Sequence, residues 1–255
     1  MNKAIIGGTG VYGMDGETTT RMVSTRFGDV EVDVVRIDEE DVVFLARHGK
    51  GHTAPPHLVN YRANMMALKE LGIQYVYATA AVGSCNEQFE PGDIVVFKNF
   101  IDFTRQRPIT FYEGKEGVIH ADMSDPYCSD MRRWLMDAAK RRGLKVKGEA
   151  VYVCTEGPRF ETSVEIEMFR ILRGDVVGMT NIPEVVLAKE LGMCYAAVGI
   201  ITNWCTGMET EPVTLSEIQG ALALNKERIT ETFLDVFGHL PDETRCACRD
   251  ALIRL

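Results

Sequence analysis

The 255-residue sequence has no long basic run, no apolar stretch near the ~18 residues of a membrane span, and no cysteine pair at C-x-x-C spacing. Each absence removes a class. A duplex-binding surface needs clustered Lys and Arg. Here 28 basic residues stand against 37 acidic ones, for a formal net charge of −9, so no nucleic acid partner is expected. No membrane partner is expected either. The opening Met1-Asn-Lys-Ala-Ile-Ile-Gly-Gly runs straight into a buried-type strand without a secretory pattern, so the expected location is the cytoplasm. Cysteines occur at 85, 128, 154, 194, 205, 246 and 248, without the paired spacing of a structural zinc site, so no metal is expected. Buried thiols are the default reading, although Cys246-Ala-Cys248 is close enough for a strained local bridge or a redox pair. Repeats, low-complexity tracts and linkers are also missing. The expectation is one domain over 1–255, with 241–255 a short tail packed on the body or on a neighbour.

What the chain does have is an ordinary globular composition, 45% hydrophobic and 25% charged, and a regular alternation of strand-like and helical runs. The pattern predicts strands at Ala4–Ile6, Val30–Ile37, Val42–Ala46, Tyr75–Ala81, Ile94–Phe97, Ala150–Cys154, Val176–Met179 and Tyr195–Ile201. Helices are predicted over Pro56–Leu71, Asp130–Arg142, Thr162–Leu172 and Pro183–Leu191, with a last one from about Leu215 to Phe237. Thr162-Ser-Val-Glu165 and Thr214-Leu-Ser-Glu217 are capping-box patterns. The implied class is α/β: a mainly parallel or mixed twisted sheet with helices on both faces.

Four segments at the ends of predicted strands suit an anion. Gly7-Gly-Thr-Gly-Val-Tyr-Gly13 satisfies the dinucleotide spacing G-x-G-x-x-G, but the polar Met14–Arg21 that follows carries no apolar stripe for the required helix. A nicotinamide cofactor is therefore set aside, while a glycine turn bearing Thr9 still suits a smaller anion. Arg47-His48 after the third of these strands offers a forked cationic donor and an adjacent N–H. Ala78-Thr-Ala-Ala-Val-Gly-Ser84 has small residues, including Ala80 and Ala81, that let backbone N–H groups approach a ligand. Gly178-Met-Thr-Asn181 places Thr180 before a helix. Parallel strands share an edge at their ends, so the four are expected to converge.

A second set suits a flat base. Alone, Glu161 in Gly157-Pro-Arg-Phe-Glu161 reads as a first-turn helix carboxylate, and Asn203 as a turn residue. Together with Phe160 they supply an aromatic plate, a carboxylate and a carboxamide. A 6-oxopurine presents N1–H as donor, with O6 and N7 as acceptors. Glu161 can accept from N1–H, Asn203 can donate to O6 or N7, and Phe160 can pack on the ring.

These motifs in order, Ile6-Gly-Gly-Thr-Gly10, Ala46-Arg-His-Gly49, Val59-Asn-Tyr-Arg-Ala-Asn64, Thr155-Glu-Gly-Pro-Arg-Phe160, Gly178-Met-Thr180 and Pro183-Glu-Val-Val-Leu-Ala-Lys189, closely resemble the nucleoside phosphorylase family. That family includes methylthioadenosine phosphorylases and trimeric purine nucleoside phosphorylases, and the match covers about residues 3 to 240. The resemblance implies the nucleoside phosphorylase fold, with Thr9, Arg47, His48, Ala80, Ala81 and Thr180 binding phosphate. It implies Met179 along the ribose, Phe160 on the base, and Trp204 and Cys205 beside Asn203 in the substrate pocket. His120 would reach the sugar's 5′ end in a neighbouring subunit, which implies a homo-oligomer, a trimer or a dimer of trimers. Methylthioadenosine phosphorylases carry an aspartate where this chain has Asn203 and a serine where it has Glu161. The pair here looks like the 6-oxopurine enzymes acting on inosine, guanosine or 5′-methylthioinosine. Leu215 and Ile218 match an aliphatic 5′ pocket, while Gln219 beside them suits a hydroxyl, so the 5′ group stays open. Heat-stable relatives with a C-terminal Cys-x-Cys bear disulfides, which implies pairing of Cys246 with Cys248 and of Cys128 with Cys194.

The implied reaction is phosphorolysis of the N-glycosidic bond, with inorganic phosphate as co-substrate and no cofactor. Asn203 would stabilise the departing purine, and Arg47 and His48 would position the nucleophile. Two other readings are a nucleosidase that uses water and a purine-binding protein without turnover. A methylthioadenosine phosphorylase is the variant within the family.

Overall fold

The computed structural model describes residues 1–8, 16–37, 40–209, 215–241 and 246–255, without the side chains at 215–219, 221 and 224. Thr9, the side chains of Leu215, Ile218 and Gln219, and the capping pattern at 214–217 therefore lie outside the described residues. In chain order the elements are β1 (Lys3–Gly7), β2 (Glu17–Thr25), β3 (Gly28–Ile37), β4 (Glu40–Ala46), a 3-10 turn (Pro56–Leu58), α1 (Tyr61–Glu70), β5 (Tyr75–Ser84), β6 (Ile94–Phe103) and β7 (Ile119–Ala121). They continue with α2 (Ser129–Arg142), β8 (Val146–Thr155), α3 (Ser163–Ile171), β9 (Val176–Gly178), α4 (Asn181–Glu190), β10 (Cys194–Trp204), α5 (Leu215–Gly238), a second 3-10 turn (Cys248–Asp250) and β11 (Leu252–Arg254).

Local chemistry sets several of these ends. Asn60 accepts from Ala63 N and so starts α1 late, which splits the predicted Pro56–Leu71 helix into a turn and a shorter helix. The Thr162–Glu165 capping box forms in full at the start of α3. Helix α2 ends with three basic residues and Gly143 in the left-handed region at φ 65°.

The sheet is mixed, in the order β10-β6-β8-β9-β5-β1-β4-β3-β2, and β10 also pairs with β5. That extra pairing closes β5, β9, β8, β6 and β10 on themselves, while β1, β4, β3 and β2 extend from the closed part as an open sheet. Strand alternation divides the core between two faces. Ala4 and Ile6 of β1 point to one side with Met65 and Leu68 of α1 and Val185 and Leu187 of α4. Ile5 points to the other, with Met131 and Leu135 of α2 and Ile229 and Phe233 of α5. The result is a single-domain α/β fold with helices on both faces. Among the described residues no helix is long and apolar enough to cross a membrane.

One strand was not foreseen in the sequence, and one expectation needs correction. The polar segment after the glycine turn leads into β2, an exposed antiparallel edge strand on β3. Also, the four anion segments do not meet because their strands are parallel. Strands β4, β1, β5 and β10 are mutually parallel through their neighbours, but β9 runs antiparallel to β5. Pairing of Gly83 with Val177 and of Ser84 with Val176 starts β9 at the far end of β5, so the chain doubles back towards Thr180.

Candidate active site

One cleft, about 920 Å³ of empty space counted out to its open mouth, brings the two sets of residues together. Its lining includes Arg47, His48, Ala80, Ala81 and Thr180 of the anion set, and Phe160, Glu161, Met179, Asn203 and Cys205 of the substrate set. Trp204 follows Asn203 but does not line the cleft, and neither does His120, which is exposed on β7. Residues that the sequence reading did not assign also contribute, among them Val82, Gly83, Val177 and Thr206.

The anion side is built on a stretch of β5 that is paired with β10 on one edge and open on the other. Strand β1 pairs with β5 only as far as Ala78, and β9 joins only at Gly83. Between them, Thr79 O points to the open edge and accepts from Arg47 Nη1 at 2.8 Å. The N–H and C=O of a strand residue share a side, and the side alternates along the strand, so Ala81 N–H faces that same edge. Gly8 donates to Thr79 Oγ1 at 3.0 Å, and a Cβ there would come within 2.5 Å of Thr79 O and 2.8 Å of Arg47 Nη1. Only glycine lets the β1 turn lie this close. Thr180 sits at the N-cap of α4 without a capping hydrogen bond from its side chain, so its hydroxyl is not consumed there. Its backbone N–H is held at 3.0 Å by the Tyr152 hydroxyl.

Arg47 is not the free fork that the sequence suggested. Its Nε and Nη2 each donate to a Glu184 carboxylate oxygen at 2.7 Å, and both side chains are fully buried. Tyr195 donates a third hydrogen bond to that carboxylate at 2.6 Å. Burial by itself would lower the guanidinium's proton affinity, but Glu184 outweighs it and the pKa is raised. One N–H on Nη1 and one on Nη2 are left over from these bonds. Glu184 entered the sequence reading only inside the motif Pro183–Lys189 and was given no role there. The signal was a carboxylate one helical turn before the apolar Leu187 and Ala188, where a buried charge requires a partner.

His48 also differs from the expected N–H donor. Its Nδ1 lies 2.8 Å from Ala54 O, and a carbonyl only accepts, so Nδ1 holds the proton. Burial first, then the Arg47 charge, push the ring's pKa down to about 4. The neutral ring therefore carries an acceptor at Nε2, matched to the P–OH of hydrogen phosphate.

On the base side, Glu161 is 8% exposed and its Oε1 accepts from the Thr155 hydroxyl at 2.6 Å, which leaves Oε2 as the second acceptor. Asn203 lies just past an irregularity in the pairing of β10 with β5 that follows Ile201. Its Nδ2 donates to Trp204 O at 2.7 Å, and the Thr202 hydroxyl meets its Oδ1 at 2.7 Å. Because Trp204 O can only accept, the amide's orientation is fixed and one N–H is left over. A Cβ on Gly83 would come within 2.9 Å of Cys205 Sγ and 3.1 Å of Asn203 Nδ2, so glycine makes the room these two occupy. Gly157, at φ +66°, does the same for Met179, whose Sδ would lie 2.6 Å from an added Cβ. Phe160 is 60% exposed at the mouth.

Residues 2–237 match the family model described as Phosphorylase superfamily. The 6-oxopurine nucleoside phosphorylase of Pyrococcus furiosus is 48% identical over 256 residues, spanning 98% of this chain and 97% of its own length. A probable S-methyl-5′-thioinosine phosphorylase of Methanopyrus kandleri is 45% identical over 249 residues, with 97% and 96% covered. Among solved structures, a methylthioadenosine phosphorylase sourced from an Antarctic soil metagenomic library superposes with a TM-score of 0.89 at 32% identity, covering 98% of this chain and 90% of that one. With its cleft, its closed mixed sheet and these near full-length matches, the chain belongs to the phosphorylase superfamily.

Proposed function

We propose that this chain catalyses phosphorolysis of the N-glycosidic bond of 6-oxopurine nucleosides, namely inosine, guanosine or 5′-methylthioinosine. The products are the free purine and ribose or methylthioribose 1-phosphate. The observation that carries this reading is that Glu161 and Asn203 open onto the same cleft as Arg47, His48 and Thr180. Phosphate is held by Ala81 N–H, the Thr180 hydroxyl and the leftover N–H groups of Arg47, with His48 Nε2 taking its P–OH. A phosphate oxygen forms the new bond to C1′ as the bond to N9 breaks. The electron pair leaves with the purine, and a proton reaches N7 through water. Asn203 contributes a hydrogen bond at O6 or N7 while that charge builds, and cannot itself supply the proton. The phosphate anion stabilises the oxocarbenium-like sugar. Inorganic phosphate is the co-substrate, and the chemistry requires no cofactor.

Adenine is disfavoured because its N1 is an acceptor facing Glu161, and an unpaired buried contact costs ~1–3 kcal/mol. Several relatives named for methylthioadenosine are also similar to this chain, for example one from Pyrococcus furiosus at 44% identity. Phosphate-dependent rates on inosine, guanosine, adenosine, methylthioadenosine and methylthioinosine test the assignment. Faster turnover of the 6-amino substrates would overturn it.

The same reading includes a homo-oligomer, a trimer or a dimer of trimers. On α3, Val164, Met168 and Ile171, followed by Leu172, expose a continuous apolar stripe beside the cleft, with Ile171 80% exposed. His120 does not line the cleft of its own chain, so its sugar-facing role calls for a second copy seated there. Sedimentation of Ile171→Glu should show dissociation. A monomeric wild-type chain that is fully active would refute this part.

A further inference from the structure

We propose that Cys128, Cys194, Cys246 and Cys248 form a tetrathiolate site for one zinc ion, which pins the C-terminal segment to the body of the protein. Their four sulfurs all lie within 4.8 Å of one another, three of the residues buried and Cys246 half-buried. A tetrahedral site with metal–sulfur bonds of ~2.3 Å needs sulfur–sulfur separations of about 3.8 Å, so the widest separations, at most 4.8 Å, must close slightly and the 3.3 Å approach of Cys194 to Cys246 must open slightly. All-thiolate tetrahedral ligation selects zinc or iron among common ions, and zinc needs no redox partner.

The ligands come from three places, which is why C-x-x-C spacing in the sequence could not reveal them. Cys128 stands at the N-cap of α2, its N–H bonded to Tyr195 O at 2.8 Å. Cys194 opens β10, its N–H bonded to Gln74 O at 2.8 Å. These two are held by the sheet and helix whether or not an ion is present. Cys246 and Cys248 belong to the tail. Cys246 N–H is held by the Asp130 carboxylate at 3.0 Å, and Cys248 starts the second 3-10 turn. Zinc displaces four S–H protons to the buffer and leaves a doubly negative centre. Lys189 lies beside it, with Nζ 3.7 Å from Cys248 Sγ and anchored on Asp125 O at 2.8 Å.

The arrangement does not single out two disulfides. A disulfide needs sulfurs ~2.05 Å apart in pairs. All seven cysteines are free thiols here. Cys194 and Cys246 approach to 3.3 Å, a pair that the family resemblance did not imply. The site also has a reach beyond itself. Just past Cys248, β11 pairs antiparallel with β7, with Ile253 opposite His120. Under the functional reading above, the clamp therefore holds the strand that serves the neighbouring cleft.

The test uses the full-length chain. Wild-type protein purified under reductant without chelator should contain one zinc per chain by elemental analysis, with these four thiols shielded from alkylation. After stripping, cobalt(II) should give thiolate charge transfer in the near ultraviolet and the intense visible bands of tetrahedral sulfur ligation. Cys248→Ser should lose most of the metal, while Cys205→Ser should keep it. Reduced thiols that take up neither ion would overturn the proposal. So would metal-free protein in which mass spectrometry finds the same four cysteines in disulfides. Both outcomes are read on the wild-type chain and do not depend on substrate choice.

Discussion

Replacing Asn203 by aspartate should move base preference from 6-oxopurines towards 6-aminopurines, and the surroundings of residue 203 set the size of the change. In the native site one N–H of the amide is spent on Trp204 O and the other is left for the base. With inosine, aspartate removes that donor and sets a carboxylate against O6. Two opposed acceptors cost ~1–3 kcal/mol, a factor of about 5 to 150. Losing a donor oriented at the charge that develops on the leaving purine lowers kcat by ~10²–10³. With adenosine, the 6-amino group can donate to the new carboxylate, so the contact at position 6 is recovered while N1 still opposes Glu161. The lost bond to Trp204 O burdens both substrates equally and cancels in their ratio. The inosine-to-adenosine ratio of kcat/KM should therefore fall by at least about 10²–10³. Paired steady-state assays in saturating phosphate measure it. A ratio unchanged within about twofold would refute the assignment of residue 203 to base recognition.

Other expectations follow from the same contacts. Thr155→Val removes the hydroxyl that holds Glu161 Oε1, a charge-assisted bond of ~1.5–3 kcal/mol, and should raise KM for 6-oxopurines about tenfold with a smaller change in kcat. An unchanged KM would show that Glu161 needs no such support. Glu184→Ala leaves Arg47 buried without its counter-charge and should cost ~3–5 kcal/mol of stability in urea unfolding. A loss below ~1 kcal/mol would mean that water or phosphate replaces the carboxylate. The depressed pKa of His48 makes the unfolded chain bind the extra proton as pH falls from about 6.5 to about 4. Its neutral burial is thus tolerated in full above that window and costs stability within it, about 2–3 kcal/mol near pH 4.5. His48→Asn should lose less stability than wild type over that interval. Parallel curves would contradict the assigned protonation.

Much of the fold was legible because long amphipathic segments carry their own period. Leu222, Ile229, Phe233 and Val236 of α5 are buried as their spacing predicts, and the capping box at Thr162 forms where it was read. Strand β2 escaped because an edge strand exposed on both faces has no apolar alternation; only its threonines hinted at it. Strands β7 and β11 are three residues each and exist through a pairing between distant parts of the chain, which no local window contains. In the site, residue types picked out several groups that line one cleft, but not their states. The Arg47 fork is occupied by Glu184, and His48 turns its N–H to Ala54, because partners supplied by other elements decide both. The cysteine cluster is the same case, since its four members share a place but no spacing.

The most direct measurement follows inosine with and without inorganic phosphate, reading base release by absorbance and the sugar product by phosphorus NMR. Hypoxanthine should appear only when phosphate is present, in equal amount to ribose 1-phosphate. Base release at the same rate without phosphate, with free ribose as the product, would contradict the joint anion and purine site.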